Sequence, residues 1–90
     1  MALHAVSYDL HNVKNYDPLW DALKKSGGAR ILESLWLISV PQTSLQLKDA
    51  LKTYVDGDDS IVVIELNPSS DWAATRARPA GTEWLKEFMP

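Results

Sequence analysis

The chain of 90 residues has no cysteine, and that absence removes several chemistries at once. A disulfide framework, a thiolate zinc site, an iron–sulfur cluster and a cysteine nucleophile all require thiols. Glycine is scarce at four residues, and its one pair, Gly27-Gly28, follows a helical pattern instead of a strand, so neither a phosphate loop nor a dinucleotide fingerprint is present. No apolar run approaches the ~20 residues of a membrane-spanning helix. The start, Met1-Ala2-Leu3-His4, lacks a basic segment leading into an apolar one. The expected setting is cytoplasmic, reducing and away from membranes. A basic surplus is missing too: nine Lys/Arg stand against twelve Asp/Glu, a net charge of −3. Proteins that neutralise phosphates usually carry a basic excess or stripe, so contact with RNA or DNA would need a local patch.

What is present points to one folded domain spanning 1–90. Hydrophobic residues make up 46% and charged residues 23%, close to the averages for globular proteins, which argues against disorder. Four tryptophans in so short a chain are many, and each aromatic can bury roughly 150–250 Å², in a core or an interface.

Leu3 to Leu10 is apolar, favours β structure and stops at a polar cluster, which predicts a strand. Asp17-Pro18 reads as an N-cap followed by proline at the first helical position. Leu19, Trp20 and Leu23 then share a face, and Gly27-Gly28 ends the helix. Ala29 to Val40 is twelve residues long, beyond the usual five or six, and predicts a strand bent near Ser34 or two strands joined there without a loop. Thr43 and Gln46 have capping-box spacing and open a second helix with Leu47, Leu51 and Tyr54 on one face. Asp56-Gly57-Asp58-Asp59 is a turn. Ser60 to Asn67 is continuous and β-branched, the pattern of a strand buried on both faces. Asp71 to Pro79 fits either an edge strand or a loop, and Thr82 to Met89 a short terminal helix.

The order strand, helix, double strand, helix, strand is that of a ferredoxin-like α+β sandwich, an antiparallel sheet with two helices on one face. Residues 1–67 form its core, and 68–90 a C-terminal extension. Strands this apolar disfavour a solvated second face. The expectation is a homodimer packed through open sheet faces, with Asp71 to Met89 covering an edge.

Asp9 is the first candidate for chemistry. It ends an apolar strand, where a buried carboxylate needs hydrogen bonds, a cation or a metal. His11 would project to the same side if the strand continued, and the two could share a divalent ion. Equally, Asp9 could accept backbone N–H groups at the strand end while His11 lies in a solvated loop. Ser34 and Glu33 fall within the double strand. A nucleophilic serine would need a base, and no Gly-x-Ser-x-Gly pattern supplies the context. Arg76 and Arg78 with Trp72 form a basic-aromatic segment suited to a phosphate backbone or a stacked base. Lys14, Lys24, Lys25 and Arg30 make a second basic patch, opposed by Asp17 and Asp21.

Ser7-Tyr8-Asp9-Leu10 closing the first strand, a helix ending on Ser26-Gly27-Gly28, and Arg30-Ile31-Leu32-Glu33-Ser34-Leu35-Trp36-Leu37 together resemble the CRISPR-associated Cas-two family and its VapD-type and stand-alone relatives. The resemblance covers about residues 3 to 67. It implies a ferredoxin-like homodimer in which first-strand aspartates face each other across the two-fold axis. They would hold one magnesium or manganese ion for hydrolysis of RNA or DNA. Only Asp9 carries over as a catalytic metal ligand, with Tyr8, Ser34 and Trp36 as motif neighbours. The alternative is a catalytically inactive dimer that serves as a structural or regulatory interaction module, a reading that the acidic balance and the tryptophans motivate.

Overall fold

The computed structural model describes residues 1–11 and 15–90. Its elements are β1 (Ala2–Asp9), α1 (Asp17–Lys25), β2 (Ala29–Leu32), β3 (Leu35–Val40), α2 (Ser44–Lys52), β4 (Ser60–Leu66) and α3 (Pro79–Phe88). The four strands form one antiparallel sheet in the order β2-β3-β1-β4, the arrangement of a ferredoxin-like fold.

Strand alternation divides β1 between two cores. Val6 and Tyr8 point to one face, where α1 and α2 contribute Leu19, Leu23, Leu47 and Leu51 around Trp36, Ile38 and Val40. Leu3 points to the other, packed with Ile31, Leu37, Trp84, Leu85 and Met89. Buried His4 ties β1 to the start of α2. Its Nε2 lies 2.9 Å from the Gln42 carbonyl, which can only accept, so Nε2 carries the proton and Nδ1 accepts from the Ser44 hydroxyl at 3.2 Å.

Local expectations for the helices meet mixed outcomes. The capping box of α2 forms as read: Thr43 Oγ1 accepts the Gln46 N–H at 3.1 Å, and Gln46 Oε1 accepts the Thr43 N–H at 3.0 Å. At α1 the cap is Tyr16, and Asp17 is already helical, its N–H taken by Asn15 Oδ1 at 2.9 Å. Gly27 closes α1 with φ +83°, the left-handed conformation that favours glycine. Tyr54 does not join Leu47 and Leu51 in the core. It lies beyond the end of α2 and is 40% exposed.

The long apolar run becomes a hairpin. Glu33-Ser34 turns the chain between β2 and β3, and the pairing shifts register between Arg30 and Leu32. Of the segment Asp71 to Pro79, residues 71–78 resolve as loop, anchored to the β2 edge by the Arg78 N–H on the Ile31 carbonyl at 2.9 Å, and Pro79 opens α3.

Two expectations about the second face are corrected. The strand expected to be buried on both sides, β4, is at the sheet edge, and its Val62 and Ile64 are 54% and 57% exposed. That second face is also not wholly open, because α3 lies across β2 and β3 on it. The reason is local: Trp84 and Leu85 bring enough apolar surface to cover those strands, and Gly81 lets the helix come close. A Cβ at residue 81 would sit 2.2 Å from Ile31 Cβ.

Gly81→Val should therefore lift α3 from β2 and lower stability by about 1–3 kcal/mol, the usual penalty for overpacking. Urea denaturation, followed by the fluorescence of the displaced Trp84, measures it.

Candidate functional site

Tyr8 and Asp9, adjacent at the end of β1, point to opposite faces and take separate roles. Tyr8 is buried, at 5% exposure. Its hydroxyl accepts the indole N–H groups of Trp20 at 2.9 Å and Trp36 at 3.1 Å, and donates to the Glu33 carbonyl at 3.1 Å. One donor and two acceptor lone pairs are thereby all used. Arg30 reinforces the same point. Its Nε donates to the Glu33 carbonyl at 2.9 Å, Nη2 donates to it as well, and the guanidinium lies over the Trp20 ring at 4.9 Å and the Trp36 ring at 5.6 Å. The Ser34 carbonyl accepts the Tyr8 N–H at 3.2 Å, which seats the β2–β3 turn against the end of β1.

Asp9 is exposed and projects from the face that carries α3, beyond that helix's cover. The register pairs Asp9 with Ser60, Ser7 with Val62 and Ala5 with Ile64. Cross-strand partners share a face. The carboxylate therefore stands at one end of an uncovered strip that includes the exposed Val62 and Ile64. Asp9 also borders a depression of about 260 Å³ lined by Tyr8, Trp20, Arg30, Glu33 and Ser34.

Strand β1 stops at Asp9, so the alternation that would aim His11 alongside it does not extend that far. The His11 backbone N–H instead donates to Asp59 Oδ1 at 2.8 Å. Asp59 Oδ2 accepts from the Tyr16 hydroxyl at 2.8 Å and the Asp56 N–H at 2.9 Å. Desolvation pushes the Asp59 carboxyl upward, but these hydrogen bonds and the charge of His11 outweigh it and hold the group below its ordinary value of 3.8. Among the described residues, no three of His, Cys, Asp and Glu gather into a group that could hold a metal ion. One copy of the chain offers the single Asp9 carboxylate.

The basic candidates fall in different places. Arg30 joins the Tyr8 cluster. Arg76, with φ +57°, and Arg78 are exposed in the loop before α3, anchored at β2, which β3 separates from β1. Lys14 lies outside the described residues. Trp20 read as a core residue from its helical spacing. Its contacts with residues 8 and 30 depend on long-range packing that no local pattern announces.

The topology and the paired Tyr8-Asp9 terminus define a ferredoxin-like α+β domain with an exposed strand-end carboxylate above a tyrosine-centred scaffold. The family model for CRISPR associated protein Cas2 matches residues 1–73, and the chain belongs to that family. The match stops before α3. No solved structure matches the chain. Among the described residues, no helix is long and apolar enough to cross a membrane.

Tyr8→Phe should cost about 1–3 kcal/mol, because the buried Trp36 N–H loses its acceptor. Chemical denaturation compared with wild type measures the loss. A depressed carboxylate stabilises the fold fully above its unfolded pKa, and the contribution disappears as pH falls through the folded value. Wild type should therefore lose stability on acidification below 3.8. Asp59→Asn should be less stable at neutral pH and show a flatter decline in that acidic window, as read by thermal melts across pH.

Proposed function

We propose that the protein is a nucleic-acid-associated homodimer that hydrolyses phosphodiester bonds in RNA or DNA with a divalent metal. Family membership supports the reading, and the observation that carries it is the position of Asp9. This carboxylate is exposed at a strand end, on the same face as the uncovered Val62 and Ile64. A second copy docked on that strip would bury the two side chains and bring another Asp9 toward the first. Two Asp9 carboxylates would hold magnesium or manganese, which would supply charge neutralisation at the phosphodiester. The extension 68–90 would limit the interface to the β1–β4 half, since α3 occupies the rest. Arg76 and Arg78, exposed at the far edge, would contact phosphates.

A second reading, a silent interaction module, is favoured by the single carboxylate that one chain supplies. Hydrolysis of single- and double-stranded substrates with magnesium or manganese separates the two. Asp9→Ala should lower the rate at least about 100-fold, since a direct ligand matters no less than an outer-shell partner, and a chelator should abolish activity. Equal rates for variant and wild type would exclude the hydrolytic role of Asp9. Light scattering with size-exclusion chromatography should give twice the chain mass, and a strict monomer would exclude paired carboxylates.

A further inference from the structure

The depression beside Asp9 differs from a phosphate site in its charge and its walls. Its lining includes the acidic residues Asp9 and Glu33 and one basic residue, Arg30, and the Asp9 side chain projects to the opposite face of the sheet. The Arg30 guanidinium is already engaged by the Glu33 carbonyl and by the Trp20 and Trp36 rings, so the depression is poorly suited to a free phosphate. The volume of about 260 Å³ falls below the ~300–1,000 Å³ of pockets for larger ligands and suits one planar ring system. One wall is an Arg30–Trp20 stack, and bases stack on aromatic rings and guanidinium planes alike.

The polar groups then select among bases. Glu33 fixes the scaffold through its backbone carbonyl, which receives Tyr8 and Arg30, while the residue is exposed and its carboxylate makes no ion pair or hydrogen bond among the described residues. A carboxylate only accepts, and it accepts from two donors at once. Guanine alone among the common bases presents two adjacent donors, N1–H and the N2 amino group, on its Watson–Crick edge. Ser34, also on the rim, brings a hydroxyl that can donate to O6.

We propose that this depression is a guanine subsite in which the base stacks on the Arg30–Trp20 pair and the Glu33 carboxylate reads its N1–H and N2 amino donors. The inference rests on the nucleic-acid reading for its setting but not on hydrolysis. It also accounts for an acidic site in a nucleic-acid-associated chain, because recognition falls on the donor edge of a base and not on its phosphate.

The test is binding without divalent metal. Full-length protein is titrated by calorimetry with GMP, IMP, AMP, CMP and UMP, and by anisotropy with single-stranded RNA that contains one guanine or none. GMP should bind at least about tenfold more tightly than IMP, which lacks the N2 amino group, and more tightly than the other three; one charge-assisted hydrogen bond corresponds to that factor. Glu33→Gln keeps the carbonyl and should melt like wild type, yet lose about tenfold in GMP affinity and most of the GMP–IMP difference. A guanine preference in both the nucleotide and the RNA arms assigns the ligand to a strand, and one confined to GMP assigns it to a free nucleotide. Equal binding of all five nucleotides, or an unchanged preference in Glu33→Gln, would overturn the proposal. Because no step requires cleavage, an inactive protein that still prefers guanine sinks only the hydrolytic reading.

Discussion

The Tyr8 hydroxyl holds together four parts of the chain that have no covalent reason to meet. It sits on β1, receives Trp20 from α1 and Trp36 from β3, and binds the carbonyl of Glu33 in the β2–β3 turn. A phenolic oxygen has one proton and two lone pairs, which the three shorter contacts fill, with Arg30 Nη2 a more distant fourth partner at 3.5 Å. Buried polar groups stabilise only when satisfied, and a saturated hydroxyl in a tryptophan-lined pocket also rigidifies its neighbours. Arg30 adds a cation over both indoles, an interaction that gains strength as water is excluded. Asp9 is exposed, but its backbone is fixed by the residue before it. An exposed carboxylate thus follows directly on a buried, hydrogen-bonded tyrosine.

The second face shows the same economy of parts with a different outcome. Helix α3 and the Met89 that follows it lie outside the family match, yet together they supply half of the buried residues of one hydrophobic cluster. The helix covers β2, β3 and the Leu3–Leu66 end of the β1–β4 pair and leaves Val62, Ile64 and the Asp9 end uncovered, so the apolar strip and the Asp9 carboxylate end up side by side. Its docking includes one unsatisfied group, the buried Trp84 indole N–H, which has no acceptor among the described residues. Burial of a large ring outweighs one unpaired donor, since the area removed from water is far larger than the polar atom. A partner docked on this face would meet only the part that α3 leaves uncovered.

Charge links the fold to function. A net charge of −3 disfavours broad phosphate binding, and the arginines that could offset it are dispersed. Arg30 is committed to the Tyr8 cluster, and Arg76 with Arg78 stands in the exposed loop that is anchored to the same edge strand, β2. Any recognition of nucleic acid by such a chain would have to depend on a few placed groups more than on an electrostatic field.

Much of the architecture was legible in the sequence because it is local. The capping box at Thr43-Gln46, Gly27 at the helix end and the β-branched run of β4 are short-range choices that the backbone must honour wherever the chain goes. The order of elements then limits the topology, and Asp9 stands out as a charge at the end of an apolar strand. Distance in sequence hid the remainder. Nothing near Trp20 shows that its indole meets Tyr8, nothing near Glu33 shows that its carbonyl is the anchor, and the apolar pattern of β4 does not reveal which side stays bare. Hydrophobic patterning records that a residue can be buried, whereas the tertiary structure decides against what. For β4 the answer depended on how far a ten-residue helix, closing on Gly81, reaches across the sheet.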